Sequence, residues 1–292
     1  MGESLGELPF GIGVAFAFAL GACVGSFAVA VAYRIPRDIS IVTPASFCPS
    51  CERAVPWWAN VPIFAYIGLR GRCVMCGAAI PIRHLLGELA MALAAAALFI
   101  LYPPADAAAR FVFVSALLIC SLVDYDWRLI PNVITIPGAI VGFLLAGLAI
   151  PEVGWWNSML GIAVGGGLLY LTGFVYQALR GREGVGPGDV YLLAMAGAFI
   201  GWAGVLFTLF FGALIGSIGG IVYAFAGSAE PSPVVSDSDR TASMSSSTIS
   251  GATETSRKSI LATEVPFGPY LSLAAAFYTI FQTRLLSWYL SP

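Results

Sequence analysis

The sequence has few charged residues, since Asp, Glu, Lys and Arg make up only 10% of its 292 residues. A soluble domain typically contains about 25% charged residues. Hydrophobic residues account for 59% of the chain, and the mean hydropathy is +0.87. The apolar runs are too long and too continuous for the strands of a membrane barrel. The composition therefore predicts an all-α polytopic membrane protein. The net charge of −2 gives no reason to expect a nucleic-acid partner.

The N-terminus lacks basic residues: positions 1–7 contain two acids and no Lys or Arg. A signal peptide begins with a basic region, so the first apolar run is expected to remain as a transmembrane helix. With roughly 20 residues per span, the sequence predicts about eight transmembrane helices. These lie near residues 9–33, 85–101, 107–124, 133–150, 156–178, 190–204, 206–226 and 267–289. The stretch 190–226 is too long for one helix, and Gly201-Trp-Ala-Gly204 is the expected hairpin.

Arginine and lysine are concentrated in the segments between certain apolar runs. Segment 34–84 contains six arginines, so the positive-inside rule places it in the cytoplasm and the N-terminus outside. From there the chain crosses the membrane alternately through eight spans, an arrangement here called the threading. It makes 124–132, 179–189 and 227–266 cytoplasmic, and each of these also contains Arg or Lys. Arg110, near the outer end of the third span, is the exception.

The sequence therefore divides into three regions. Residues 1–33 form the first transmembrane helix, residues 34–84 form a cytoplasmic domain, and residues 85–292 form the main membrane domain. Within the last region, residues 227–263 are rich in Ser, Thr and Pro and nearly free of aromatic residues. Such a segment buries too little apolar surface to offset its ordering entropy. We expect it to be a disordered cytoplasmic loop.

Four of the six cysteines form two C-x2-C pairs, Cys48-Pro-Ser-Cys51 and Cys73-Val-Met-Cys76, separated by residues 52–72. Each pair can present two thiolates to one tetrahedral Zn²⁺. The cytoplasm is reducing, so structural disulfides are disfavoured there. Four protein ligands leave no open position on the metal. The prediction is therefore a structural zinc site that folds a loop with little core of its own.

A tight turn, Gly186-Pro187-Gly188-Asp189, leads directly into an apolar run. Glycine permits positive φ and close approach of the backbone, and proline restricts one φ. The turn would place the Asp189 carboxylate at the mouth of a membrane helix, where an acid costs free energy and usually has a function. The alternative interpretation is a helix N-cap, for which Asp is a favoured residue.

A second acid, Asp124, closes the third apolar run, and the threading places it at the same membrane depth as Asp189. Two carboxylates brought close together cannot both ionise cheaply, so one can act as general acid and the other as general base. This is the chemistry of aspartic proteases. The alternative is two unrelated interfacial acids. Asp126 competes with Asp124, and at most one of the two should face Asp189 because residues two apart do not share a helix face.

Several groups of residues then occur in a familiar order. They are Gly25-Ser-Phe27 with Arg34 and Pro36, the two cysteine pairs, Trp58 with Asn60, Pro62 and Glu88, Asp124 with Ile130-Pro131-Asn132, Gly186-Pro187-Gly188-Asp189, and Pro266-Phe-Gly-Pro-Tyr-Leu271. Together they resemble the signature motifs of the type IV prepilin peptidases, and the resemblance covers nearly the whole chain. In that family the first catalytic acid stands seven residues before the proline, as Asp124 does before Pro131. The resemblance therefore implies that Asp124 and Asp189 are the catalytic pair.

The resemblance also implies a bifunctional enzyme of the bacterial cytoplasmic (inner) membrane, which serves type IV pili or type II secretion. Its partners would be membrane lipid and prepilins or pseudopilins, cut after the glycine that ends a short basic leader. It would then methylate the new N-terminus with S-adenosylmethionine, and the cytoplasmic loop with Glu88 is the candidate cofactor site. Two residues depart from the family pattern, Val29 where many members have Asn and Tyr191 where many have Lys.

Two other functions are compatible with parts of the sequence. A transporter that uses paired intramembrane acids would place them near mid-bilayer, at broken helices. A non-enzymatic membrane scaffold with a zinc module would tolerate Asp124→Asn and Asp189→Asn.

Overall fold

A computed structural model describes residues 10–181, 186–226 and 267–290. The α-helices of these residues are α1 (Phe10–Arg34), α2 (Phe64–Gly68), α3 (Ile82–Leu101), α4 (Pro104–Trp127), α5 (Asn132–Leu148), α6 (Gly154–Arg180), α7 (Pro187–Ala226) and α8 (Gly268–Leu290). Short 3-10 helices cover Ile35–Arg37 and Trp57–Asn60. Among the described residues the extended pairing consists of two isolated bridges. The all-α prediction is confirmed.

Hydropathy and length identify the membrane-crossing helices. The described candidates are Phe10–Arg37, Ile82–Leu101, Pro104–Trp127, Gly154–Arg180 and Pro187–Ile221, with Asn132–Leu148 as a shorter apolar helix. The chain is therefore an integral membrane protein. In the described part of the chain, α1, α3, α4, α5, α6, α8 and the two arms of α7 make eight long helical segments. This agrees with the prediction of about eight.

The C-terminal end of α4 meets three other helices at one end of the bundle. The contacts are Asp126 with Arg83 at the start of α3, Asp124 with Gly268 at the start of α8, and Ile130 with Gly188 at the start of α7. The threading predicted that 124–132 and 179–189 share one side of the membrane, and the packing brings the end of α4 and the start of α7 to the same end of the bundle.

Helix α7 reverses direction within its length. Its backbone is non-helical at Gly201, where φ is 70°, a left-handed value that favours glycine. Gly188, near the start of α7, lies beside Ile130, while Gly219 lies beside Tyr270 at the start of α8. Both ends of α7 are therefore at the same end of the bundle. The hairpin predicted at Gly201 is present.

Close approach between α6 and α7 depends on glycine. A Cβ on Gly161 would collide with the backbone of Gly197, and a Cβ on Gly165 would collide with the backbone of Leu193. Small residues of this kind let membrane helices pack backbone to backbone. The remaining interior of the bundle is apolar, with the Phe113 ring stacked on Phe199 at a centroid distance of 4.6 Å. These contacts give the helices that carry Asp124 and Asp189 a rigid support.

Arg110 is buried at the opposite end of α4, with 1% of its surface exposed. Its Nε donates to Asp106 Oδ1 at 2.6 Å, one terminal nitrogen donates to Gln282 Oε1 at 2.6 Å, and the other contacts Glu152 Oε2 at 3.1 Å. The exception to the positive-inside pattern is thus a cation that joins α4, α8 and the connection between α5 and α6.

The predicted disordered loop, 227–263, lies outside the described residues.

Candidate active site and metal centre

Asp124 lies three residues before the end of α4, with 6% of its surface exposed. The helix ends because Arg128 takes a left-handed conformation with φ of 53°, and its N–H bonds to the carbonyl of Asp124 at 2.8 Å. Pro131 follows this turn and precedes α5. Because proline has no N–H to donate, it cannot extend the helix that ends at Trp127. The local sequence therefore puts Asp124 in the last full turn of a membrane helix.

Asp189 lies in the first turn of α7, which begins at Pro187. Proline is well suited to the first helical position because its missing N–H has no helical partner there. The N–H of Asp189 donates to the carbonyl of Gly186 at 3.1 Å. Asp189 is therefore inside the helix, and Gly186 precedes the first helical residue. The N-cap interpretation does not describe Asp189.

The two acids lie at the same end of the bundle because α7 starts against the connection between α4 and α5. A Cβ on Gly188 would lie 2.8 Å from the Cβ of Ile130, closer than side chains pack, so glycine permits this contact. Asp124 and Asp189 are then near enough for their carboxylates to interact electrostatically. Both acids are at helix ends, whereas the transporter interpretation required acids near mid-bilayer.

Gly268 is a third component of this site. Its backbone N–H donates to Oδ2 of Asp124 at 2.9 Å, and a Cβ at this position would lie 2.6 Å from the same oxygen. The start of α8 therefore orients the Asp124 carboxylate, and only glycine leaves room for it. Sequence reasoning noted the motif that contains Gly268 without assigning it a role. A glycine at the start of a membrane helix was the available signal.

Asp126 faces a different helix from Asp124. Both of its carboxylate oxygens accept hydrogen bonds from Arg83 Nη1, at 2.7 and 2.6 Å. The pair is partly exposed and joins the start of α3 to the end of α4. Of the two competing acids, Asp126 pairs with Arg83 on α3, and Asp124 is the one that interacts electrostatically with Asp189.

The four predicted cysteine ligands form one cluster. The Sγ atoms of Cys48, Cys51, Cys73 and Cys76 all lie within 4.8 Å of one another, and none of them is in a disulfide. The Sγ atoms of Cys48 and Cys76 are 3.9 Å apart. In a tetrahedral site with Zn–S bonds of about 2.3 Å, adjacent sulfurs are about 3.8 Å apart. The cluster therefore fits a zinc ion.

The two C-x2-C pairs lie in turns, here called knuckles, that have the same backbone arrangement. The N–H of Cys48 bonds to the Arg53 carbonyl at 3.0 Å, and the N–H of Cys73 bonds to the Ala78 carbonyl at 2.8 Å. Each turn contains a residue with positive φ, Glu52 at 56° and Gly77 at 74°. This repeated turn directs two sulfurs from each knuckle to the same point, which the C-x2-C spacing predicted.

The cysteine thiols differ in acidity. Burial raises the pKa of Cys48, but hydrogen bonds from the backbone of Cys51 and Ser50 and from neighbouring thiols outweigh it and lower the pKa to about 7. For Cys76 the Ala78 backbone lowers the pKa, but burial and hydrogen bonds with the other three thiols raise it to about 11. Four thiols this close cannot all ionise without a compensating cation, which is what a metal supplies.

Glu88 lies in α3 at the wall of a large cavity. The residue is 7% exposed, and its Oε2 accepts a hydrogen bond from the Ile63 N–H at 2.6 Å. The cavity has a volume of about 720 Å³ and is bounded by α1, by the loop that carries the cysteines and by the start of α3. Asn60, Tyr66 and Phe47 also line it. This size is in the range of small-molecule sites.

Two regions of the chain match known protein families. Residues 19–102 match the bacterial peptidase A24 N-terminal domain, and residues 111–221 match the type IV leader peptidase family. The first region contains all four clustered cysteines and Glu88, and the second contains Asp124 and Asp189.

Individual relatives carry the name prepilin leader peptidase/N-methyltransferase. A protein of Burkholderia pseudomallei is 35% identical over 250 residues, covering 75% of this chain and 79% of the relative. A Myxococcus xanthus protein is 36% identical over 212 residues, which cover 72% of this chain and 63% of that protein. A Pseudomonas aeruginosa protein is 29% identical over 299 residues, covering 93% of this chain and 91% of the relative. No solved structure matches the chain.

Proposed function

Because this chain belongs to the type IV leader peptidase family, we propose that it cleaves prepilin-like leader peptides with the Asp124–Asp189 pair. The observation that supports the proposal is the packing of α7 and α8 against the end of α4, which leaves Asp124 and Asp189 in electrostatic contact and lets the Gly268 N–H donate to Asp124. Family membership makes the chain a membrane peptidase. Its substrates, themselves hydrophobic helices, would be cut after the glycine that ends the leader.

The pair supports general acid–base hydrolysis. One carboxyl group retains its proton and donates it to the scissile carbonyl oxygen, while the ionised partner removes a proton from the attacking water. The water oxygen then bonds to the carbonyl carbon. Collapse of this intermediate breaks the C–N bond, and the leaving amine takes up a proton. No metal or covalent intermediate is needed, and the packing of Gly188 and Gly268 keeps the carboxylates in place.

The test is cleavage of a purified prepilin by the purified protein in detergent. We expect Asp124→Asn and Asp189→Asn each to reduce the rate by more than about 100-fold, because each removes one half of the acid–base pair. Asp126→Asn is the matched control, since Asp126 faces Arg83, and it should retain cleavage. The proposal is wrong if either of the first two variants cleaves at the wild-type rate.

We also propose that the enzyme methylates the new N-terminus and binds S-adenosylmethionine in the 720 Å³ cavity beside Glu88. The relatives' names include N-methyltransferase, which implies a methyl donor of this type. When bound, that donor would supply an activated methyl group on a sulfonium cation. Glu88 provides a buried carboxylate that complements positive charge, and aromatic side chains such as Phe47 can stack on a purine.

Binding of S-adenosylmethionine by isothermal titration calorimetry tests this site without reference to activity. Glu88→Gln should weaken binding by about tenfold or more, since it removes the charge and retains an oxygen for the Ile63 N–H. Glu52→Gln, in the same region but not lining the cavity, should bind as wild type does. Equal affinities for wild type and Glu88→Gln would place the methyl donor elsewhere.

For the metal, we propose that Cys48, Cys51, Cys73 and Cys76 hold one structural zinc ion.

For the orientation, we propose that the protein lies in the bacterial inner membrane with the cysteine-containing loop in the cytoplasm. The distribution of arginine supports this orientation. Reporter fusions to residues 10 and 40 should report opposite sides of the membrane, and fusions that report the same side would contradict it.

A further inference from the structure

The loop between α1 and α3, residues 35–81, is called the cysteine module below. Its segment 57–69 lies alongside α3 rather than beyond the end of that helix. The backbone N–H of Ile63 donates to Oε2 of Glu88 at 2.6 Å. Since α3 begins at Ile82, the Cα of Glu88 is about 9 Å along the helix axis from the first residue. Helix α3 has 20 residues, hence a length of about 30 Å, which equals the thickness of the hydrocarbon core. Ile63 is therefore level with the first two turns of a helix that is just long enough to span the hydrocarbon core.

The backbone around Ile63 is unusual for a β-branched residue. Ile63 has φ of 64° and ψ of −55°, and the N–H of Phe64 bonds to the Pro62 carbonyl at 2.6 Å. This is a γ-turn with positive φ, which is rare and strained. The turn leaves the Ile63 N–H directed at Glu88. Near hydrocarbon a backbone N–H needs a partner inside the protein, and the buried Glu88 carboxylate provides it.

The surface of segment 57–69 is apolar. Five large hydrophobic side chains are exposed there: Trp57 (84%), Trp58 (48%), Val61 (40%), Phe64 (74%) and Ile67 (62%). Tryptophan is enriched where membrane proteins cross the interface between water and hydrocarbon. An apolar surface of this kind on a loop needs a partner, because water does not stabilise it.

We infer that segment 57–69 is inserted into the interfacial layer of the bilayer, with Trp57, Phe64 and Ile67 in contact with lipid and Glu88 as its anchor to α3. Both ends of the cysteine module continue into membrane helices, so the segment cannot move far from the bilayer. Arg70 and Arg72 follow the segment directly and are exposed, which suits anionic headgroups at the same level. The inference does not depend on the proposed function.

Photocrosslinking to lipid tests the insertion. The full-length protein is reconstituted in vesicles of phosphatidylcholine and phosphatidylglycerol, with p-benzoylphenylalanine in place of Phe64. After irradiation, mass spectrometry of the protein measures the fraction that carries one phospholipid. The same probe in place of Leu93, an exposed residue in the middle of α3, is the reference for lipid contact. The probe in place of Glu52, exposed on the first knuckle, is the reference for solvent.

We expect the adduct yield at position 64 to be within about twofold of the yield at position 93 and about tenfold above the yield at position 52. A yield at position 64 equal to that at position 52 would overturn the insertion. So would a crosslink from position 64 to a second copy of the chain.

The anchoring role of Glu88 has its own test. With the probe at position 64, Glu88→Ala should lower the lipid yield about threefold or more, because the Ile63 N–H loses its acceptor. Glu88→Gln should retain the yield, because its amide oxygen still accepts. The yield at position 93 in each variant reports that the helices remain folded. Unchanged yield at position 64 in Glu88→Ala would show that Glu88 is not the anchor.

Discussion

The cysteine module and the helix bundle differ in what fills their interiors. Within residues 35–81, all of which the structure describes, Cys48 is the only buried hydrophobic side chain. The bundle buries a large apolar cluster that includes Phe113, Leu192, Met195 and Leu271. A region of this size without an apolar core needs a metal, disulfides or another support. The module therefore needs a support other than an apolar core, for which its sulfur cluster is suited, while the bundle depends on packing.

The difference also concerns backbone contacts. In the bundle, glycines such as Gly161 and Gly197 let helices touch directly, and the stability comes from many weak contacts. In the module, repeated turns around two cysteine pairs bring four atoms to one point. The module is thus sensitive to the loss of a single cysteine ligand, and the bundle is sensitive to changes in side-chain volume. The predictions below separate these two kinds of sensitivity.

The largest effect is expected at the sulfur cluster. Cys73→Ser should abolish zinc binding and unfold the module while the bundle remains intact, since structural zinc contributes about 10–16 kcal/mol in small domains. Metal analysis and limited proteolysis of residues 35–81 measure this. Cys23→Ser, an exposed cysteine outside the cluster, should retain metal and protection. Equal protease resistance of Cys73→Ser and wild type would mean that the module does not depend on the metal.

In the bundle, Arg110→Ala should have the largest effect. It leaves Asp106, which is 2% exposed, without its cationic partner, and removing one member of a buried ion pair costs about 3–5 kcal/mol. Thermal unfolding in detergent should show a lower midpoint, while zinc content stays unchanged. A midpoint within experimental error of wild type would show that the buried pair does not stabilise the bundle.

Gly161→Ala tests the glycine contact between α6 and α7. The new methyl group would meet the Gly197 backbone, so the helices must separate, at a cost of about 1–3 kcal/mol. Gly167→Ala on the same helix is the control, because a Cβ there meets nothing within 4 Å. It should stabilise the helix by up to about 1 kcal/mol. Similar unfolding midpoints for the two variants would argue against backbone contact at Gly161.

The smallest effect is expected at the exposed ion pair that joins α3 to α4. Arg83 and Asp126 are 38% and 26% exposed, so Arg83→Ala should cost only about 0.2–1 kcal/mol despite the short contact of 2.6 Å. The same thermal unfolding measurement, compared with Arg110→Ala, gives the contrast between exposed and buried pairs. A loss as large as that of Arg110→Ala would mean that Arg83 couples α3 to α4 more strongly than its exposure implies.

Much of the fold follows from the sequence because a bilayer permits few alternatives. Backbone groups in hydrocarbon must bond within the chain, so each long apolar run becomes a helix. This is why hydropathy predicted the helices and why Gly201 could be identified as a break. The C-x2-C spacing predicted the sulfur cluster for a related reason, since a short knuckle has few ways to direct two sulfurs to one metal.

The surroundings of the acidic pair were less accessible to sequence reasoning. Arginine counting and motif order pointed to Asp124 and Asp189, but not to the Gly268 N–H that bonds to Asp124. Gly268 is far from Asp124 in sequence, and a backbone donor has no signature in residue type. The pairing of Asp126 with Arg83 was hidden for the same reason, because it depends on how α3 packs against α4.

The sequence by itself determined that this is a membrane protein of about eight helices, with a four-cysteine loop and two acids at helix ends. These features follow from local composition and spacing, which act through the bilayer and through metal coordination. Only the tertiary structure decided that Asp126 pairs with Arg83, that Gly188 and Gly268 pack against Ile130 and Asp124, and how Glu88 holds Ile63 beside α3. Each of these depends on contacts between residues distant in the chain, and such contacts exist only once the helices have packed.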